Sequence, residues 1–413
     1  MVSTGSSHMN IRRREFLGLC TAGLAVAQKE EPKDEVIATA TQDTTPRVGV
    51  VLSSFTGGTE HDGSKLAGLA SPLANDADLS TEFIEAWVRK AIEMGSPRAN
   101  DLSKIVGAED WVVIKTDISS CQGLAPLVKD GGAHQPYIPG SVTDLRVVRA
   151  VINYLVENKC GARITIAEGS GQWLPMDRSK SPVDGWTTEW GGVFGGLSYR
   201  KMIEEFSKKY PGVRFDIADL NFGDSLELPV PGKALARQNP SGAYTIGKAI
   251  QQCDKLISIA PLKTDARTGV ALTFSNYLGI APGAKYGFPK SALLKLGSPE
   301  EVLVDLFSYH PADYCILGGP YGVEGGGPDG AGAAAVHHNL LVTGTKAVSV
   351  DAMAALLMGF SPEQLPYLAL AEKNGDYGIA GTDYIWIRGN TVEQARRAFR
   401  KPSQWSPPPA VTK

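Results

Sequence analysis

The sequence predicts an α/β protein with a mostly parallel open sheet and helices on both faces, one large domain with loop insertions. Three observations carry that reading. Apolar runs of strand length (Val48–Leu52, Trp111–Ile114, Arg163–Ala167, Val213–Ala218, Leu256–Ala260, Tyr314–Leu317) alternate with stretches of helical periodicity, the order expected of β-α-β units. The central runs are close to continuously apolar, as in parallel strands covered by helices on both sides. Ionisable residues directly follow several runs, where an open α/β sheet leaves a ligand crevice because its loops diverge. The segment Cys253–Gly279 combines all three. Leu256–Ala260 is the buried run, and Pro261 takes the chain out of the sheet. Lys263, Thr264, Asp265 and Arg267 follow, ahead of an apolar stretch ending in Ser275-Asn276.

Before the fold comes an export signal. Residues 1–27 carry the twin-arginine pattern in Arg13-Arg14-Glu15-Phe16-Leu17, with residues 1–8 read as an upstream extension or tag ahead of Met9. The apolar stretch Phe16–Ala27 is too short to span a bilayer, and Ala25-Val26-Ala27 offers a small-x-small cleavage site. Cleavage there removes three arginines and one glutamate, a net +2, and takes the formal charge from −3 to −5. That balance weighs against nucleic acid and anionic membranes as partners. No later run is long and apolar enough for a stable membrane anchor. The expected location is therefore periplasmic or extracellular, with the twin-arginine export machinery and a small-molecule ligand as partners. That route carries folded proteins, often loaded with a cofactor.

The 413 residues are 43% hydrophobic and 21% charged, enough for one packed core, while 46 glycines and 26 prolines imply long, shaped loops. Residues 28–45 read as a polar linker, 46–400 as the single α/β domain and 401–413 as a flexible tail. Ser80 can cap a helix whose apolar face is Phe83, Ile84, Trp87, Val88, Ala91 and Ile92, stopped by Gly95-Ser96-Pro97. Thr143-Asp144 open a second helix that closes at Gly161, and Tyr199–Lys209 form a third. Leu226–Ile246, with its Asn239-Pro240-Ser241-Gly242 turn, reads as a hairpin or arm. Ser298-Pro299-Glu300-Glu301 is a capping box. Gly318–Ala335 reads as a glycine-rich loop that presents Glu324. Leu340–Val342 is a strand, Thr345–Met358 a helix, Ser361 the start of another, Tyr384–Ile387 a last strand and Thr391–Arg400 a last helix. Gly169–Tyr199, which holds Trp173, Trp186 and Trp190, is expected to fold over the strand ends as a lid with at least one ring toward the site.

The candidate chemistry gathers at these strand ends. Lys115 and Lys263 each follow a buried run, so both are expected to point into one crevice, to bind an anion or act as a base; pairing with a neighbouring carboxylate is the structural alternative. Asp117, Glu168, Asp265 and Glu324 are acid-base candidates and hard oxygen donors, which keeps a divalent metal open although no compact ligand spacing supports it. Lys115, Lys263, Glu324 and Glu168 are the catalytic candidates; Asp117, His134, Trp173, Asp265 and Asn276 are those for substrate binding. Adjacent residues in an extended segment face opposite ways, so His337 and His338 do not make a metal pair. Cys121, Cys160, Cys253 and Cys315 lack C-x-x-C spacing, so no iron–sulfur or zinc-ribbon motif is present. Cys253 and Cys315 read as core residues, with one disulfide open in an oxidising compartment. The loop after Gly318 has neither the ending of a P-loop nor the setting of a dinucleotide fingerprint.

These residues resemble the family known as domain of unknown function 362. Ile114-Lys115-Thr116-Asp117 is similar to its Ile-Lys-Pro-Asn motif, Pro261-Leu262-Lys263-Thr264-Asp265 to Pro-x-x-Lys-Thr-His, and Ser275-Asn276-Tyr277-Leu278-Gly279 to Lys-Asn-Leu-x-Gly. Glu324-Gly325-Gly326-Gly327-Pro328 and Val350-Asp351-Ala352 match a glycine-rich loop and a helix start, so the likeness runs from about Arg47 to Tyr377. The resemblance implies no established activity. Some relatives carry ferredoxin-like cluster motifs that this chain lacks. Asp117, Asp265 and Ser275 replace Asn, His and Lys of the pattern, which makes the site richer in carboxylates. The function expected is an exported enzyme acting on a small polar or anionic substrate; the alternative is a non-catalytic binding or cofactor-accessory protein for another exported enzyme.

Overall fold

The computed structural model describes residues 45–54, 79–96, 102–118, 138–171, 194–326 and 332–407. The expected signal, the linker before Thr45, His134, Trp173, Trp186, Trp190 and Cys121 lie outside the described residues, and with them most of the expected lid. Strand β7 (Lys255–Ala260) lies in the middle of the main sheet between β2 (Trp111–Lys115) and β10 (Tyr314–Glu324), parallel to both. Beyond β2 come β3 (Arg163–Glu168) and β4 (Arg214–Asp219), also parallel. Beyond β10 come β11 (Ala334–Gly344), β1 (Arg47–Leu52) and β12 (Trp386–Gly389), giving the order β12-β1-β11-β10-β7-β2-β3-β4. Only the two pairings made by β11 within this order are antiparallel, so the sheet is mostly parallel, as predicted. A small hairpin, β8 (Lys263–Asp265) and β9 (Gly269–Ala271), joins β10 beside Val323, and β5 (Ser225–Pro229) pairs with β6 (Ala243–Gly247) in a separate two-stranded arm.

Both faces of the sheet are covered because the strands are apolar on both. Ile257 and Ile259 of β7 enter one core with α1 (Thr81–Gly95), α3 (Leu145–Glu157) and α4 (Tyr199–Lys209). Leu256 and Ala260 enter the other with α8 (Pro299–Ser308), α9 (Ala347–Leu357) and α10 (Pro366–Asn374). Short helices α2 (Leu102–Ile105), α5 (Lys248–Gln252), α6 (Thr273–Asn276), α7 (Gly283–Tyr286) and α11 (Val392–Ala395) complete the set among the described residues. The predicted caps form: Ser80 accepts from Phe83 N, Asp144 from Arg146 N, and Ser298 with Glu301 makes the capping box of α8.

Four expectations are corrected. Gly318–Glu324 is not loop but the continuation of β10, paired with an equally extended β11 through an irregularity between Gly319 and Tyr321. Glycine leads into that irregularity: Gly318 and Gly319, the last residues paired before it, have φ 104° and 150°, which few side chains tolerate. The helix expected over Thr391–Arg400 stops at Ala395; beyond it Arg397 N and Phe399 N donate to the carbonyls of Leu357 and Met358. Ser361 opens a 3₁₀ turn, Pro362–Gln364, before α10. The tail is seated rather than free over residues 401–407, because Trp405 is buried with its ring 5.2 Å from that of Phe360. Cys160, Cys253 and Cys315 are buried, and Cys253 and Cys315 are free thiols. No helix among the described residues is long and apolar enough to cross a membrane.

Candidate functional site

Strand β2 is followed by β3 and β4 on one side, whereas β7 lies on its other side and is followed outward by β10. The connections after β2 and β7 therefore leave in opposite directions, and the crevice of an open α/β sheet lies at the carboxyl ends of such a pair. Lys115 ends β2 there, fully buried. Its Nζ donates to Thr116 O at 2.6 Å and Asn276 Oδ1 at 2.8 Å and forms an ion pair with Glu168, the last residue of β3. All three N–H donors of the ammonium are thereby used. Asn276, at the end of α6, donates back to Lys115 O at 3.2 Å and to Ser258 Oγ at 3.0 Å, which ties α6 to β2 and β7. Gly279 packs against the pair: a Cβ there would stand 2.5 Å from Lys115 Nζ and 3.1 Å from Glu168 Oε1.

The second pair is Lys263 with Asp117, 2.6 Å apart and also buried. Thr143 holds Asp117 in place by accepting from its N–H at 2.8 Å, while donating through the same hydroxyl to Ile259 O of β7 at 2.8 Å. Two lysines and two carboxylates from three separate segments, the end of β2, the end of β3 and β8, thus meet in one buried cluster. Burial pushes the Glu168 carboxyl up; Lys115 opposes that shift and Asp117 adds to it. Burial also raises the Tyr199 phenol, which stands beside Thr116. One buried hydroxyl near Lys263, Ser141 Oγ, makes no hydrogen bond among the described residues.

A third lysine, not singled out from the sequence, completes the cluster. Lys290 is 7% exposed, and its Nζ donates to Gly169 O at 2.7 Å and Leu278 O at 3.1 Å, carbonyls adjacent to Glu168 and Gly279. Burial brings its pKa down to about 7, against the pull of Glu168 and with the push of Lys115. Lys290 follows no strand and sits in a Gly- and Pro-containing loop, so sequence position does not mark it. Ser141, Thr143 and Ser258 are equally unmarked, being small polar residues whose role comes from the packing of distant segments.

Two candidate carboxylates do not join the cluster. Asp265 accepts from Arg267 N, Thr268 N and Thr268 Oγ1 at 2.8–3.0 Å and so shapes its own turn. Glu324 accepts from Arg400 N at 2.9 Å and faces its guanidinium. With Asp117 and Glu168 occupied by lysines, the four carboxylates that left a divalent metal open are dispersed, and no group of three His, Cys, Asp or Glu suited to a metal occurs among the described residues. His337 stacks on Tyr321, while His338 is buried with Nε2 2.8 Å from Ala395 O, so the two rings have separate surroundings.

Among solved structures, the lactate racemase apoprotein from Thermoanaerobacterium thermosaccharolyticum matches at 13% identity and a TM-score of 0.32, covering 62% of this chain and 52% of that one. A structural-genomics protein from Thermotoga maritima matches at 12% and 0.30, covering 62% and 53%. The chain thus spans about half the length of these structures. No curated protein matches it. The family profile described as domain of unknown function (DUF362) aligns with residues 127–356, more than half of the chain, and this segment contains Glu168, Lys263, Asn276 and Lys290. The chain therefore belongs to the domain of unknown function 362 family.

Proposed function

We propose that the protein is an enzyme that binds a small anionic substrate at the carboxyl ends of β2, β3 and β7, with Lys115 and Lys263 as its charge partners and Glu168 as the proton carrier. The observation that supports this reading is the pair of buried lysine–carboxylate contacts at the switch point of the sheet. Such pairs add little stability over apolar residues of equal volume, since removing both charges from water offsets most of their attraction. Stability alone therefore gives no reason for two of them side by side. An anion can take over donors that Asp117 and Glu168 now occupy, and the freed carboxylates become bases at the same place. The raised pKa of Glu168 keeps its proton available nearer neutrality. Ser141 has a hydroxyl ready to donate without losing an existing bond.

Thermal-shift titration with oxalate, phosphate and sulfate tests binding: occupancy at 100-fold over Kd stabilises by about 2.7 kcal/mol. Lys263→Met should abolish the shift for the anion that binds wild type, and an unchanged shift in that variant refutes the site. We also place the protein outside the cytoplasmic membrane by the twin-arginine route. Replacing Arg13 and Arg14 by Lys should leave the precursor in the cytoplasm, and unchanged export of that variant removes the signal.

A further inference from the structure

The three lysines of the cluster differ in how their nitrogens are occupied. Lys115 commits its donors to Glu168, Thr116 O and Asn276, and Lys263 faces Asp117. Lys290 has no carboxylate at ion-pair distance among the described residues. Its two hydrogen bonds end on backbone carbonyls. A neutral amine has two N–H donors and one lone pair, so these two acceptors match the uncharged form and leave the lone pair unshared. An ammonium in the same place would be buried without a contacting counter-ion and with a cation, Lys115, nearby, an arrangement that disfavours charge. The other charged neighbours acting on Lys290 are Glu168 and Asp219.

We propose that Lys290 is a covalent attachment site, its amine condensing with the carbonyl of a small anionic aldehyde or ketone such as an oxo acid held by Lys115 and Lys263; this rests on the anion-binding reading above. The Nζ lone pair attacks the carbonyl carbon while the carbonyl oxygen takes a proton from the Glu168 carboxyl. The nitrogen of the adduct returns a proton to Glu168. Expulsion of the hydroxyl, reprotonated by Glu168, then releases one water and leaves a protonated imine beside the Glu168 carboxylate. One amine, one carboxylic acid and one carbonyl become one iminium, one carboxylate and one water, with no oxidant or reductant. A desolvated lysine beside another cation is a known way to keep an amine nucleophilic at neutral pH.

The test uses the full protein with glyoxylate as probe and oxalate as the anion that lacks an aldehyde. Borohydride reduction followed by peptide mass spectrometry should find the glyoxylate adduct on Lys290 at least tenfold above exposed lysines such as Lys373 at pH 7, since the neutral fraction of an amine titrating near 7 exceeds that of an ordinary lysine by roughly a thousandfold. Oxalate should compete it away, and Lys290→Arg and Lys290→Met should lose it. Trace acetylation across pH gives a second reading independent of the probe: Lys290 should reach half its maximal reactivity near neutrality. Oxalate binding with Lys290 unlabelled by both reagents, or labelled with the pH profile of surface lysines, overturns the attachment site and leaves the anion site standing. Labelling of Lys290 with no oxalate binding and no competition sinks the anion site instead, and with it the oxo-acid assignment.

Discussion

Gly279→Ala tests the architecture of the lysine cluster without removing any charged group. The new methyl would stand 2.5 Å from Lys115 Nζ, 2.8 Å from its Cε and 3.1 Å from Glu168 Oε1, all inside the 3.4–4 Å of ordinary contact. Gly279 does not have a positive φ, so the penalty comes from space alone. A long lysine usually swings aside, but this one is tied to Thr116 O, Asn276 Oδ1 and Glu168. Overpacking a filled core costs about 1–3 kcal/mol, and breaking a buried pair costs about 3–5 kcal/mol; partial displacement falls between, at about 3 kcal/mol. Urea unfolding midpoints at unchanged slope measure it. The control background is Lys115→Ala with Glu168→Gln, which removes the obstructing atoms and avoids an orphaned charge. There the same glycine substitution should cost less than about 1 kcal/mol, a coupling of about 2 kcal/mol. Equal losses in both backgrounds would refute the claim that Gly279 is selected by the pair.

Two buried groups should oppose each other in acid. His338 is lowered to about 4 by burial, so as pH falls from 6.5 to 4 the unfolded chain binds the proton first and about 3 kcal/mol is lost; His338→Gln should flatten that slope in pH-dependent urea melts. Asp351 is raised to about 6 by burial, so the folded state binds the proton first and stability falls by about 3 kcal/mol as pH rises from 3.8 to 6. In Asp351→Asn that fall should vanish, leaving stability rising more steeply with pH, and an unchanged profile would contradict the assignment. Trp405→Ala should cost about 3 kcal/mol in thermal or urea unfolding, since its ring is buried against Phe360; a loss near zero would mean that the segment is not seated in solution.

The strands at the centre of the sheet were readable because burial on both faces leaves one pattern, a short apolar run, and their helices because the covering face repeats every three or four residues. Glycine misled in the β10–β11 hairpin, since the same residue that breaks an element in a loop permits a bulge inside a strand. Within the cluster, Lys115, Glu168, Lys263 and Asn276 were visible from their places near the ends of apolar stretches. Asp265 and Glu324 share that position, but a turn two residues on satisfies the first, and Arg400, far along the chain, satisfies the second. Lys290 could not be seen at all: its burial is created by Gly169 and Leu278, and nothing local announces it.

The place of β1 sets an order on how the sheet can be completed. Gly49 meets Thr343 of β11, and Arg47 meets Trp386 of β12, so the first strand of the fold waits for the last two. During synthesis the parallel core from β2 to β10 can assemble while β1 still has no neighbour, and its insertion closes the longest loop in the chain. A protein cut short before β12 would leave one edge of β1 unpaired. On the export route proposed above, where cargo crosses folded, pairing of this first strand would register that the far end of the chain is in place.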